Sequence, residues 1–461
     1  MAVKLYNTYS RKLEDFKPLN PKQIGLYTCG PTVYHFAHLG NLRTFIFEDI
    51  LKRVLSYNGY PVKHVMNITD VGHLTSNSDE GEDKLEKGAR REKKTVWEIA
   101  KMYTEAFQQD LRALNVLPPQ IWCKATDHIP EQIAYIQKIE AKGFTYQTRD
   151  GIYFDTSKLP NYGYLARLDI QGLQSGERVA LKDKKNPTDF ALWKFSPLNE
   201  RRQMEWASPW GKGFPGWHIE CSAMSEKYLG PQFDLHCGGT DHIPVHHTNE
   251  IAQAQGATGQ IPARWWLHGD FLLQNKEKMA KSNGEFLTLE TIKQKGFDPL
   301  VYRYFCLTAH YRSKLNYSES ALTSAKNSLH KLYAALDNYD DPTEVNTEYQ
   351  EKFLRIVNHD LNLPGALALM WELIKSDQPS AIKAATLFEF DKIFGLRLAP
   401  HFNQTETDKA EIPETVLELA VARQAARGEK DWALADELRK KIIAAGYNIE
   451  DIADEYRLRK I

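Results

Sequence analysis

The sequence predicts an α/β protein whose N-terminal part is a doubly wound parallel sheet and whose C-terminal part is helical. The run Ile24-Gly25-Leu26-Tyr27-Thr28 reads as a buried strand. Phe47, Ile50, Leu51, Val54 and Leu55 then recur at helical spacing, and His64-Val65-Met66-Asn67-Ile68 reads as a second strand. Strand, helix and strand in succession form the βαβ unit of a Rossmann-like fold, in which ligands gather at the carboxyl ends of the strands. From about 125 to 202 the pattern is mixed, with Tyr162-Gly163 and a lysine-rich Lys182-Asp183-Lys184-Lys185, and interrupts this alternation. After Tyr317 apolar residues return to helical faces, first Leu329, Leu332, Tyr333 and Leu336, then Phe353, Ile356 and Val357, which suits an α-helical bundle over 321–400. The polar stretch from Pro400 to Pro413 reads as a linker, and a small C-terminal module containing Asp431-Trp432-Ala433-Leu434-Ala435-Asp436 follows over 414–461.

At 461 residues the chain has room for two to four domains and a large core without disulfides. Lysine plus arginine (59) nearly balances aspartate plus glutamate (60), so no global basic field attracts nucleic acid and any RNA contact must come from local patches. The five scattered cysteines, Cys29, Cys123, Cys221, Cys237 and Cys306, argue for a reducing compartment. The opening Met1-Ala2-Val3-Lys4-Leu5-Tyr6 lacks an apolar core, and no uncharged apolar run is long enough to span a bilayer. A cytoplasmic enzyme without membrane contact is expected, with a monomer as the default.

Three segments carry reactive residue types. Tyr27-Thr28-Cys29-Gly30-Pro31-Thr32-Val33-Tyr34 leads into His38-Leu39-Gly40-Asn41 at a predicted helix start, where unpaired N–H groups and the helix dipole favour phosphate. Lys278-Met279-Ala280-Lys281-Ser282 lies in a polar loop after an apolar run. Gly216-Trp217-His218-Ile219-Glu220-Cys221-Ser222-Ala223-Met224 precedes His246-His247-Thr248-Asn249-Glu250, where His246 and Glu250 share a face if the stretch is helical. Each has an ordinary reading when taken alone: a capped surface turn for His-Leu-Gly-Asn, a solvated charge run for Lys276-Glu277-Lys278, core packing for Cys123 and Cys306. Gly211-Lys212-Gly213-Phe214-Pro215-Gly216 fits a dinucleotide glycine fingerprint. Ser208-Pro209-Trp210 stands before it in place of a strand, and Pro215 spoils the turn into a helix, so no nicotinamide or flavin is expected.

Together, in this order and over nearly the whole chain, the segments resemble the cysteinyl-tRNA synthetases, a family of class I aminoacyl-tRNA synthetases. The resemblance implies a Rossmann-like catalytic domain over 1–320 with a connective insertion, and a bundle and C-terminal module that reach the tRNA anticodon. It implies an ATP-dependent ligase, with magnesium accompanying ATP, that converts L-cysteine to cysteinyl-adenylate and passes it to the 3′ terminal adenosine of tRNA(Cys). His38 and Asn41 would stabilise charge on the α-phosphate, with Gly40 and Asp241 also at the nucleotide, and Lys281, assisted by Lys278, would meet the leaving pyrophosphate. Asn41 stands where the family usually has histidine, and Ala280 where it usually has serine. Cys29, Cys221, His246 and Glu250 match the family's zinc ligands, one ion per subunit. A soft metal would separate a thiolate from the hydroxyl of serine, which an apolar pocket distinguishes by only about 1–3 kcal/mol. Thr69, Trp217 and His236 would contact the amino acid, and Arg427, Asp431, Trp432, Asp436 and Asp451 the anticodon, where a stacking aromatic beside donors suits unstacked bases.

Some residues remain open. Cys237 stands where the family usually has glycine and receives no role, and His247 could exchange roles with His246. Val71-Gly72-His73-Leu74 replaces the family's acidic pair and lysine, which bears on guidance of the tRNA acceptor end. Two rival functions share the nucleotide and metal signatures: a cysteine ligase of mycothiol synthesis, which acts on an aminosugar and lacks the anticodon module, and a non-catalytic paralogue that binds tRNA or zinc.

Overall fold

A computed structural model describes residues 2–72, 83–168, 183–197, 202–274, 277–278, 287–402, 413–428, 431–452 and 455–460. Its centre is a sheet of five parallel strands: β1 (Ile24–Thr28), β2 (Val62–Ile68), β3 (Ile121–Lys124), β4 (Phe233–Gly239) and β5 (Ala263–Gly269). They lie in the order β5-β4-β1-β2-β3, which in chain order is the 3-2-1-4-5 arrangement of a doubly wound α/β fold. All five residues of β1 are buried, as a strand covered on both faces requires. Three helices position the site: α1 (Leu39–Tyr57) after β1, α2 (Trp217–Leu229) before β4 and α3 (His246–Thr258) after β4.

The insertion forms an antiparallel sheet of Thr145–Gln147, Gly151–Phe154, Phe190–Phe195 and Gly213–Pro215. Its last strand lies beyond the boundary expected at 202. Trp206 and Gly213 exchange two backbone hydrogen bonds, 2.7 and 2.9 Å, and a Cβ on Gly213 would lie 2.0 Å from the carbonyl oxygen of Lys194. The glycine serves close strand pairing there, and the run enters α2 as an edge strand.

Contacts divide the chain into one unit of residues 1–329 and 342–396 and another of 330–341 and 397–461. This grouping differs from the boundary expected at 320, because the helices Thr347–Val357, Leu363–Lys375 and Ser380–Phe394 pack with the nucleotide fold. A buried ion cluster fastens them. Asp49 of α1 accepts from Arg53 Nε at 2.8 Å and Arg303 Nη2 at 2.5 Å, while Arg303 Nε donates to the carbonyl of Phe394 at 2.6 Å and Arg53 Nη1 to that of Lys392 at 3.1 Å. Burial opposes the Asp49 charge, yet Arg303 and Arg53 hold the carboxyl below its ordinary range.

In the other unit, helices Glu414–Gly428 and Trp432–Ala444 and the hairpin Tyr447–Ile452/Glu455–Lys460 enclose a small core of Val416, Ala420, Ile442, Tyr447 and Ile449. All five cysteines are free and buried. Among the described residues no helix is long and apolar enough to cross a membrane.

Candidate active site

The chain path reverses between β1 and β4, and a cavity of about 650 Å³ opens at their carboxyl ends, the switch point where doubly wound folds bind ligands. Cys29 follows β1 and donates its N–H to the carbonyl of Cys237 in β4 at 3.1 Å, so the Cys237 backbone anchors Cys29 at the cavity. Gly30 comes next. A Cβ there would stand 1.7 Å from the carbonyl oxygen of Asn67, and the Gly30 N–H donates to Asn67 Oδ1 at 2.8 Å. The loop can therefore run against β2 only with glycine at this position.

His38 caps α1. Its Nδ1 accepts the Asn41 N–H at 3.1 Å, and its own N–H donates to Asn41 Oδ1 at 3.3 Å, a reciprocal capping box. With Nδ1 accepting, the neutral ring carries its proton on Nε2. Asn41 thus sets the tautomer and orientation of His38. A Cβ on Gly40 would touch the His38 ring at 3.0 Å, so this glycine leaves room for that orientation. His38, Gly40 and Asn41 line the cavity, as does Asp241, exposed on the turn after β4.

Cys29, Cys221 and His246 line the same cavity, and one ligand atom each from these three and Glu250 lies within 4.8 Å of the others, all four residues being buried. Cys29, His236, His247 and Glu250 satisfy the same limit. The hydrogen bonds favour the first set. His236 Nε2 is already engaged with Glu250 Oε2 at 2.8 Å and His247 Nε2 with Cys29 Sγ at 3.3 Å, while His247 Nδ1 meets His268 Nε2 at 2.8 Å, whose Nδ1 meets Thr8 Oγ1 at 2.9 Å. Glu250 Oε1 makes no hydrogen bond although it is buried 3.1 Å from His246 Nε2. His218 Nδ1 meets His246 Nδ1 at 2.9 Å and fixes that ring.

Burial, with the Cys221 hydrogen bond second, pushes the Cys29 thiol well above its ordinary range. Burial also raises Glu250. The orphaned oxygen and two thiols otherwise costly to ionise fit a cation, whose charge makes thiolate and carboxylate stable in a dry site. Two thiols, an imidazole and a carboxylate form a zinc-type donor set.

Trp217, half-buried at the start of α2, lines the same cavity with its ring centroid 5.1 Å from that of His246. Thr69 lines it too. Its Oγ1 accepts from Asn67 Nδ2 at 3.0 Å and donates to Glu220 Oε2 at 3.0 Å. Burial drives the Glu220 carboxyl well above its ordinary range, with the Thr69 hydroxyl opposing. His236, expected at the amino acid, lies in the middle of β4, wholly buried, with its Nε2 bonded to Glu250 Oε2. Sequence reading missed Asn67, Glu220, His218, His268 and Thr8; only the proximity of Asn67, His218 and Glu220 to motif residues hinted at three of them.

Lys281 and His73 lie outside the described residues. Lys278 is placed in the short strand Glu277–Lys278, and its side chain lies outside them as well. In the other unit, Asp431 caps the last helix by accepting the Leu434 N–H at 3.1 Å. The Arg427 guanidinium stands 5.7 Å from the Trp432 ring centroid. Trp432 is 56% exposed, so it is no core tryptophan, and Asp436 is exposed on the same helix. Asp451 lies in the terminal hairpin, its side chain outside the described residues.

Residues 15–327 match the family model for the class I (C) tRNA synthetase catalytic domain. The chain is 54% identical over 459 residues to cysteine–tRNA ligase 1 of Burkholderia lata, covering 99% of this chain and 97% of that protein. It is 45% identical over 492 residues to the cysteine–tRNA ligase of Treponema denticola, covering 100% of each. Among solved structures, methionyl-tRNA synthetase of Mycobacterium tuberculosis bound by methionyl-adenylate matches with a TM-score of 0.54, covering 81% of this chain and 90% of that one. At 16% identity that likeness concerns the fold alone.

Proposed function

The chain belongs to the class I tRNA synthetases, among the cysteine–tRNA ligases, and on that footing we propose how its residues divide the work. The enzyme joins cysteine to tRNA in two steps. The cysteine carboxylate attacks the α-phosphate of ATP, giving cysteinyl-adenylate and pyrophosphate. A ribose hydroxyl of the terminal adenosine of tRNA(Cys) then attacks the carbonyl carbon and releases AMP. His38, held by Asn41, donates Nε2–H to the α-phosphate, while the start of α1 and Asp241 seat the nucleotide. Lys281 and Lys278 meet the pyrophosphate, and magnesium accompanies ATP.

Cys29, Cys221, His246 and Glu250 hold zinc, one ion per chain, which when bound supplies a soft centre for the thiol sulfur of cysteine. Trp217 and Thr69 close the pocket around the amino acid, with Asn67 and Glu220 fixing Thr69. The observation that carries this reading is the buried two-thiol cluster at the cavity floor beside Trp217. Serine, which offers only a hydroxyl, is excluded without an editing site.

Arg427, Asp431, Trp432, Asp436 and Asp451 read the anticodon, with Trp432 as the stacking platform. An aminosugar ligase has no use for such a module. The enzyme works as a cytoplasmic monomer in this reading. Cysteine-dependent ATP–pyrophosphate exchange tests it. Exchange with cysteine and none with serine is expected, and serine exchange at a comparable rate would overturn the assignment of the metal.

A further inference from the structure

We propose that the basic helical hairpin at the rim of the cavity receives the unpaired 3′ end of tRNA, its phosphates on Lys87, Arg90, Arg91, Lys93 and Lys94 and a base against Phe36. The inference rests on the ligase reading, in which an RNA end must enter this cavity.

The hairpin consists of helices Lys84–Glu92 and Val96–Ala113. It is fastened to the loop that lines the cavity. Tyr103 stacks on His35, ring centroids 6.0 Å apart, and meets Phe36 edge-on at 4.9 Å, while Arg91 Nη2 donates to the Tyr103 hydroxyl at 2.9 Å. At Gly88 the first helix comes so close that an added Cβ would lie 3.5 Å from the carbonyl oxygen of Tyr34. His35 and Phe36 both line the cavity. The charged face is therefore set on rigid support at the entrance.

Over residues 86–94 five basic side chains face two acids, in a chain whose net charge is −1, so the excess is local. All five bases are exposed. Glu86 is occupied by the Gln203 N–H at 3.0 Å and Glu92 by Arg91 Nε at 2.9 Å. Lys93 ends the helix with φ of 54°, a left-handed conformation that favours glycine, and the Lys94 N–H returns to the carbonyl of Ala89 at 3.0 Å. A lysine in this position sends its charge outward from the turn. Phe36 is 47% exposed on the same rim. A basic track interleaved with an open aromatic face is how proteins bind single-stranded nucleic acid, whereas an acidic protein surface would need the charge but not the ring.

The test compares the full-length protein with Lys93→Glu/Lys94→Glu in two assays. Cysteine-dependent pyrophosphate exchange, which needs no tRNA, should stay within about twofold. The KM for a tRNA(Cys) transcript should rise at least about tenfold, and the slope of log affinity against log salt should become shallower by about 1.5, as expected for two lost phosphate contacts. Phe36→Ala should also raise the tRNA KM, and Phe36→Trp should restore it. An unchanged tRNA KM and salt slope in the lysine variant would overturn the proposal and leave the hairpin to some other partner, such as an acidic protein. Absence of pyrophosphate exchange in the unaltered protein would instead overturn the ligase reading beneath it.

Discussion

His247 Nε2 lies 3.3 Å from Cys29 Sγ, and the same ring reaches Thr8 through His268. The three contacts have one consistent direction. If Cys29 is a thiolate, it accepts Nε2–H from His247. His247 Nδ1 then accepts from His268 Nε2–H, and His268 Nδ1 accepts the Thr8 hydroxyl proton. Burial holds both imidazoles well below their ordinary range, so both are neutral, as this relay requires.

A partner that orients a metal ligand matters nearly as much as the ligand, with losses of about 10–100-fold in metal affinity when it is removed. His247→Gln should weaken zinc binding within that range while the fold stays intact. Competition against a chromophoric chelator measures it, and an unaltered affinity would remove the relay from the site.

Glycines at the floor separate structural from ligand space. Gly30→Ala should be severely impaired in folding or exchange, because its Cβ meets the Asn67 backbone. Gly239→Ala should fold like the parent, since its nearest neighbour is Thr44 Oγ1 at 3.7 Å, yet show a raised KM for ATP if the nucleotide lies against it. Circular dichroism with pyrophosphate exchange distinguishes the two, and equal behaviour of both variants would contradict the placement.

The Asp49 cluster should be worth far more than a surface pair. Asp49→Ala leaves Arg303 buried without its counter-ion, and a loss of about 3–5 kcal/mol in urea unfolding is expected. A loss under about 1 kcal/mol, typical of exposed pairs, would show that the guanidinium finds other compensation.

Burial pushes the Asp110 carboxyl up to about 7, with Lys293 opposing and Glu290 adding to the rise. A folded-state pKa above the unfolded one means that the group's contribution to stability is full below about pH 4 and is lost as pH rises through 7. Asp110→Asn removes that loss. Its advantage over the parent should grow from near zero at pH 4 to on the order of 4 kcal/mol at pH 8, at about 1.4 kcal/mol per pKa unit. Urea titrations at the two pH values check it, and a pH-independent difference would show that Asp110 ionises freely.

Much of the site is legible in the sequence because its reactive atoms sit in local motifs. The step from His246 to Glu250 spells one helical face, and His38 to Asn41 spells a helix cap. The supporting residues are not legible, because they arise from pairing between distant strands. Parallel register sets Tyr27 beside His236 and Gly238 beside His268, and only this pairing brings Thr8 and His268 toward Cys29. His236 is of the same kind: its residue type suggests a contact at the site, but its partner Glu250 on the following helix is set by the fold. Phe353, Ile356 and Val357, which recur at helical spacing, fall in the helix Thr347–Val357, one of three helices from 347 to 394. Their period cannot say what they cover, and the buried Arg303 that binds them to α1 looks in sequence like any other arginine.

In the proposed function the buried two-thiol site selects cysteine for attachment to tRNA. The most direct measurement is incorporation of labelled cysteine, beside labelled serine at equal concentration, into acid-precipitable tRNA(Cys) by the zinc-replete protein and by Cys221→Ser. Cysteine labelling alone is expected in the parent, and loss of both bound zinc and cysteine labelling in the variant. Equal labelling with serine, or a variant that still charges cysteine at the parent rate without metal, would contradict it.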